Sequence, residues 1–220
     1  MTNILEIKPI PERIKNAYLS ALNPIIGLAT KLNLHPNTFT TVSFLSGVAA
    51  AYFMAVGSLR IAACFILLSG MCDSIDGKLA RYSGKVTKFG ALYDSTLDRY
   101  SEVIFFFGMA FYFIKHGWYL TSVALAVGLG GSLMVSYVRA RAEGLGFDCK
   151  VGILQRAERL LLLGVGGLVH LYALVGAIWV IAVMSHVTAI QRIVHVWKED
   201  KKNHIQKTAN PNPTHSTSVE

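Results

Sequence analysis

Charge is what this sequence has least of: Asp, Glu, Lys and Arg together make 15% of its 220 residues, against about 25% in an ordinary water-soluble domain. With 53% hydrophobic residues and a mean hydropathy of +0.45, it has too little polar surface to cover a globular core. That excludes a soluble domain and a disordered chain alike. Cysteine is sparse too, and the three present, Cys64, Cys72 and Cys149, form no CxxC. They read as reduced packing residues, which excludes a disulfide scaffold and a thiolate metal centre. The seven histidines form no HxxxH or HExxH pair, so none is assigned to a metal. Proline is missing between Pro36 and Pro211, so nothing there forces a helix to break.

What is abundant is long apolar runs. About 20 apolar residues cross the hydrocarbon core of a bilayer as a helix, and six such runs occur, near 37–57, 60–81, 92–115, 118–141, 159–175 and 176–197. The expected fold is therefore an all-α integral membrane protein of six transmembrane helices. Ahead of them, residues 11–32 set Ile14, Tyr18, Leu19, Leu22, Ile25 and Ile26 against Arg13, Lys15 and Asn16, a helical period with one polar face. That pattern predicts an interfacial amphipathic helix. After Trp197 the composition turns to Lys, Asn, Thr, Pro and Ser, which reads as a disordered tail. The expected organisation is an N-terminal segment over 1–36, a six-helix membrane domain over 37–197 and a tail over 198–220.

The net charge of +8 would point a soluble protein toward nucleic acid. Here the basic residues lie between the apolar runs, where they set topology and attract anionic head groups; no nucleic-acid partner is expected. Six crossings with both termini on one side put 19 of the 21 Lys and Arg residues together and leave Arg60 and Lys115 opposite. Positive charge is retained in the cytoplasm, so both termini and the chemistry are expected there, in a multi-pass protein of the cell membrane. An odd number of spans would destroy this asymmetry. The outer connections are very short, at Gly57–Ser58, His116–Gly117 and near Leu174.

The second apolar run carries Asp73 and Asp76 before its end, and the third opens with Asp94 and Asp98. A carboxylate inside the leaflet costs a few kcal/mol unless it is paired. Spacings of three and four put each pair on one helix face, and the short connection between the runs makes the two helices antiparallel neighbours, so the four carboxylates converge. Anions this close require positive charge among them, and hard oxygen ligands suit Mg²⁺ or Mn²⁺, two ions being the usual arrangement for phosphoryl chemistry. Gly77 removes a side chain beside the second ligand, which opens the helix backbone to a phosphate. The competing explanation, a salt-bridge network with Lys78, Arg81 and Arg99 that only fixes packing, accounts poorly for four acids at matched spacing.

The run Asp73-x2-Asp76-Gly77-x2-Ala80-Arg81-x8-Gly90-x3-Asp94-x3-Asp98 resembles, without departure, the signature of the CDP-alcohol phosphotransferases. The resemblance implies six transmembrane helices after an interfacial helix, a homodimer, a divalent-metal pair, and transfer of a lipid phosphate from a CDP-linked lipid to an alcohol with release of CMP. By it, Asp73, Asp76, Asp94 and Asp98 are metal ligands, and Asp98 is also the general base. It further implies that Asn37, Thr38, Phe39, Thr40, Gly77, Arg81 and Thr87 contact the CDP-lipid.

The acceptor is read from basic residues on three helices: Arg139, Arg156, Arg159 and Arg192. A neutral alcohol needs no such set, whereas a phosphorylated one does, because Arg grips phosphate bidentately; the alternative is that they bind anionic head groups. The segments Ser136-Tyr137-Val138-Arg139-Ala140-Arg141-Ala142-Glu143, Gln155-Arg156-Ala157-Glu158-Arg159 and Gln191-Arg192 resemble the phosphatidylinositol phosphate synthases and their archaeal relatives within that family. This implies inositol 1-phosphate as acceptor and CDP-diacylglycerol or a CDP-ether lipid as donor. The alternatives are the same chemistry with glycerol 3-phosphate, and, from another class, a cation transporter using the four Asp. Glycines 128, 130, 131, 164, 166 and 167 lie inside apolar runs, so they read as close-packing positions rather than phosphate loops.

Overall fold

The structure, a computed structural model, describes residues 12–209. The expectations for 1–11 and 210–220 lie outside the described residues. Eight helices make up all the regular structure among the described residues: α1 (Glu12–Ala21), α2 (Asn23–Lys31), α3 (Pro36–Ala55), α4 (Leu59–Tyr82), α5 (Lys88–Lys115), α6 (Tyr119–Gly144), α7 (Arg156–Val169) and α8 (Leu171–Ala209). α3, α6 and the Leu171–His204 part of α8 are long and apolar enough to cross a membrane. At 24 and 28 residues, α4 and α5 have the length but carry the acids. α7 has 14 residues, about 21 Å at 1.5 Å per residue.

α3 to α8 close a ring. α3 packs on α4, α4 on α7, α7 on α8, α8 on α6, α6 on α5, and α5 back on α3. Small residues allow these approaches. A Cβ on Gly108 would come within 2.5 Å of the Ala51 carbonyl oxygen, joining α5 to α3, and one on Gly167 would lie 3.0 Å from Ala63, joining α7 to α4. Gly131 against Ser185 and His186, and Gly164 against Leu67, serve as the sequence predicts. The core between the helices is apolar, with Met54, Ile66, Phe105, Met109, Phe113, Leu125, Leu163, Leu174 and Ile178 each nearly inaccessible.

The three short connections meet at one end. Gly57, at φ 88°, and Gly117, at φ 77°, take the left-handed conformation that lets a helix end within two residues. Trp118 stacks near Tyr172, with ring centroids 5.8 Å apart, and residues 57–61 share a cavity with Gly167, Val169, His170 and Leu171. The acids gather at the opposite end.

Four expectations are corrected. The helix expected over 11–32 is, from residue 12 on, two helices, not one: Pro24 has no N–H to give to the preceding turn, and the helix is interrupted at Leu22 before restarting as α2. The third outer turn falls at His170, which is extended, not near Leu174. Gly166 makes this possible, since a Cβ there would meet the Ala173 oxygen and the Leu174 backbone at 3.1 Å. α8 continues to Ala209, so residues 198–209 are helix rather than tail. Lys202 pairs with Glu199 at 2.9 Å, Lys201 covers the Trp197 ring at 5.8 Å, and no Gly or Pro intervenes before Pro211. Finally, α4 and α5 do not pack along each other, because α3 lies against both.

The first helices are held to the acid-bearing end. Leu22, Ile26 and Ala29 bury against Ile75 and Leu79 of α4, one turn from Asp76. Lys78 donates to the Leu19 carbonyl and to Asn23 Oδ1, and Lys85 to Asn33 Oδ1 at 2.7 Å. The other side of the pair leaves Tyr18, Ile25, Leu28 and Leu32 exposed.

Candidate active site

Although α4 and α5 diverge, their acids meet. Asp73, Asp76 and Asp94 each present one carboxylate oxygen, and these three lie within 4.8 Å of one another. Two oxygens on one divalent ion, each about 2.0–2.6 Å from it, lie at most about 4.0–5.2 Å apart, so this spacing is compatible with a shared ion. Asp94 Oδ1 is buried without a hydrogen-bond partner. An orphaned carboxylate oxygen beside two others fits a hard cation, and by this test the residues suit the expected metal.

Thr40, at the start of α3, donates its hydroxyl to Asp76 Oδ2 at 2.7 Å. Its hydroxyl is therefore committed to a carboxylate of the cluster. Asp98 stands apart from the three. Its Oδ1 is 2.9 Å from Arg156 Nη2, and its Oδ2 is 3.4 Å from Arg99 Nη1. Arg156 Nη1 is also 2.9 Å from Asp73 Oδ1. The positive charge that four clustered acids require therefore comes, in part, from the first residue of α7. The sequence reading assigned that charge to divalent metal alone.

The predicted CDP-lipid residues differ in availability. Asn37 Oδ1 faces Gly90, where a Cβ would lie 3.4 Å away, and Thr38 is exposed. Phe39 packs in the apolar cluster between α2 and α4, so its side chain serves packing. Thr87 caps α5, accepting from the Gly90 N–H at 2.9 Å. The Arg81 guanidinium lies beside Gly77, 3.7 Å from where a Cβ would be.

The four arginines do not form one open clamp. Arg139 is half exposed on α6 and pairs with Glu143 at 2.8 Å. Arg192 gives Nε to the Val151 carbonyl at 2.9 Å and Nη1 to the Val135 carbonyl, tying α8 to the loop before α7 and to α6. Arg159 is 1% exposed and engages Glu102 with Nε and Nη2 at 3.0 and 3.3 Å. That withdraws Arg159 from the acceptor set, because a guanidinium sealed against a buried carboxylate presents nothing to a ligand.

Sequence reading missed three features. Glu102 continues the Asp94, Asp98 spacing of four, and that periodicity was the available signal. Thr40 as a partner of Asp76 had no local sign. The loop 145–155 is pinned by one stripe of α8: Thr188 Oγ1 accepts from the Leu154 N–H at 3.1 Å, Gln191 Oε1 from the Ile153 N–H at 3.3 Å, and His195 Nε2 lies 3.1 Å from the Asp148 carbonyl. Cys149 in that loop is fully buried; burial pushes its thiol up, opposed by the nearby charges of Arg192 and Arg139.

A model of the CDP-alcohol phosphatidyltransferase family matches residues 33–196. The chain belongs to the CDP-alcohol phosphatidyltransferase family. Among its relatives, it is 37% identical over 197 residues to the archaetidylinositol phosphate synthase of Methanothermobacter thermautotrophicus, spanning 86% of this chain and 98% of that one. It is 35% identical over 185 residues to the phosphatidylinositol phosphate synthase of Corynebacterium glutamicum, spanning 80% and 84%. Two solved structures of the Mycobacterium tuberculosis phosphatidylinositol phosphate synthase resemble it. One, with CDP-DAG bound, has a TM-score of 0.71 at 31% identity, over 79% of this chain and 92% of that one. The other, with manganese and citrate, has a TM-score of 0.72 at 32% identity, over 79% and 88%. This family member is thus a membrane enzyme with a divalent-metal site, acting with a CDP-linked lipid donor and an alcohol acceptor.

Proposed function

We propose that this enzyme transfers the phosphatidyl group of CDP-diacylglycerol, or of its ether counterpart, to inositol 1-phosphate, giving a phosphatidylinositol phosphate and CMP. The observation that carries the reading is the convergence of Asp73, Asp76 and Asp94 next to Asp98 and Arg156. It occurs in a chain related over most of its length to inositol phosphate synthases.

In this reading Asp73, Asp76, Asp94 and Asp98 hold two Mg²⁺ or Mn²⁺ ions. When bound, the metals neutralise the pyrophosphate and stabilise the departing CMP. The chain's own residues do the rest. Asp98 accepts the proton of the acceptor hydroxyl as its oxygen bonds to the lipid-linked phosphorus and the bond to CMP breaks; the proton then leaves to solvent. Thr40 holds Asp76 in register. Asn37, Thr38, Gly77, Arg81 and Thr87 line the nucleotide and pyrophosphate end, with the Phe39 backbone between them. Arg139 takes the acceptor phosphate, joined by Arg156 through the Nη1 that a cation bound at Asp73 would release, while Arg192 shapes the loop around it. Because Arg156 also touches Asp98, it brings the phosphate and the reacting hydroxyl of one small acceptor within reach of the same base.

The remaining expectations join this proposal: six crossings by α3 to α8, the α1–α2 pair lying in the interface, both termini and the site in the cytoplasm, and a homodimer. Their support is the gathering of the three short turns at one end and the acids and most basic residues at the other. Among the described residues the division becomes 12–35 for the interfacial segment and 36–197 for the catalytic bundle, with 198–209 an extension of α8.

The test is CMP release by detergent-purified protein with Mg²⁺ and CDP-diacylglycerol, offered inositol 1-phosphate, free inositol, glycerol 3-phosphate or serine. Release confined to inositol 1-phosphate is the expected result. Release with glycerol 3-phosphate instead would retire the inositol assignment, and no release with any acceptor would retire the transferase reading.

A further inference from the structure

α5 and α7 stand across the ring from each other and share no backbone face, yet two arginines of α7 reach two carboxylates of α5. Arg156 meets Asp98 at 2.9 Å, and one turn further along both helices Arg159 meets Glu102 at 3.0 Å. Steps of three on α7 and four on α5 put each set on one stripe, so the ring is bridged by two rungs. The upper rung borders the active site. The lower one is sealed: Glu102 and Arg159 are each 1% exposed, and their sequence neighbours Phe105, Phe106, Leu160 and Leu163 belong to the buried apolar core.

The lower rung is fully satisfied. Besides Arg159, Glu102 accepts from Ser132 of α6, and Arg159 Nη1 donates to the Leu154 carbonyl at 3.2 Å, just before α7 begins. Three elements thus converge on it. A buried ion pair of this kind adds little stability over apolar residues of similar volume, so stability alone does not account for it.

We propose that Glu102 and Arg159 are a positioning pair, locking the first turn of α7 across the ring so that Arg156 is held between Asp73 and Asp98. Neither touches substrate; both act through Arg156. Held there, the Arg156 guanidinium competes with a divalent cation for Asp73 and sets the orientation of the Asp98 carboxylate. The inference deepens the transferase reading and rests on it where turnover is concerned.

A cycle of variants tests this with two readouts on the full detergent-purified chain. One is Mn²⁺ affinity by electron paramagnetic resonance without nucleotide; the other is kcat and KM for CMP release. Glu102→Leu with Arg159→Met removes both charges at similar volume and leaves no unpaired ion. It is expected to keep its thermal midpoint, bind Mn²⁺ about 3- to 10-fold tighter, and lose about 10-fold or more in kcat, with donor KM within about 2-fold. Arg156→Gln should do the same, and adding the pair substitution to it should shift neither readout further. Wild-type Mn²⁺ affinity and kcat in the pair variant, or shifts that add to those of Arg156→Gln, would overturn the proposal.

If the pair variant does not fold, Arg159→Lys replaces it, keeping the charge but not the two-pronged grip. The same shifts at reduced size are expected, and unchanged affinity and kcat overturn the proposal. A wild-type protein that binds Mn²⁺ but releases no CMP with any acceptor would sink the transferase reading alone, because the Mn²⁺ cycle still judges the pair.

Discussion

Asp98 differs from its three neighbours by its partners. Asp73, Asp76 and Asp94 turn oxygens toward a common point, whereas Asp98 is turned to Arg156 and Arg99, which suits a residue that reaches the cation site from its edge and also serves as base. Asp98→Asn, which keeps the shape and removes the base, should cut kcat by about 100-fold or more while CDP-lipid binding, measured by calorimetry, stays near wild type. Thr40 acts one step out. Thr40→Val removes the hydroxyl that holds Asp76, and outer-shell losses of this sort weaken metal affinity by about 10-fold or more. Mn²⁺ titration of the variant would show it, and an unchanged affinity would make Thr40 a packing residue only.

At the scale of helices, contacts are decided where side chains are missing. Gly108 lies so near the Ala51 backbone that Gly108→Leu must push α3 and α5 apart, and the thermal midpoint should fall by the equivalent of about 1–3 kcal/mol. Gly130 sits on α6 with nothing near it, so Gly130→Ala should leave the midpoint unchanged or raise it slightly. The loop before α7 depends on polar side chains of α8 instead. Thr188→Val strips the Leu154 N–H of its acceptor, an unmade buried hydrogen bond of about 1–3 kcal/mol. Limited proteolysis should then find residues 146–155 before the rest of the bundle.

For the molecule as a whole, the alternation of short turns and acid-bearing ends makes a prediction about sides. Single cysteines at Ser58→Cys and His116→Cys, in a chain with its native cysteines replaced, should react with an impermeant maleimide added to intact cells. Cysteines at Gly84→Cys and Gly146→Cys should react only after the membrane is opened. Labelling of 84 or 146 from outside would end the six-crossing arrangement with a cytoplasmic site.

The acids on the second and third apolar runs, their spacing of three and four, the short turns at Gly57 and Gly117, and the sorting of basic residues were all legible in the sequence. Each is a local pattern: helical periodicity and the cost of charge in hydrocarbon act along the chain, so composition alone reports them. Where the helices lie relative to one another was not legible. That α3 comes between α4 and α5, that Arg156 supplies the countercharge, and that Arg159 is committed to Glu102 depend on which faces meet across the ring. The arginine pairings join residues 57 or more positions apart, and lining up two helices is a matter of shape at small residues such as Gly47, Gly108 and Gly164, which no periodicity records. The sequence by itself determined an all-helical membrane enzyme and the carboxylates at its centre. Only the tertiary structure decided which arginine stays beside the aspartate cluster and which is sealed beneath it, because an Arg and a Glu announce their charge in the sequence but find their partner in space.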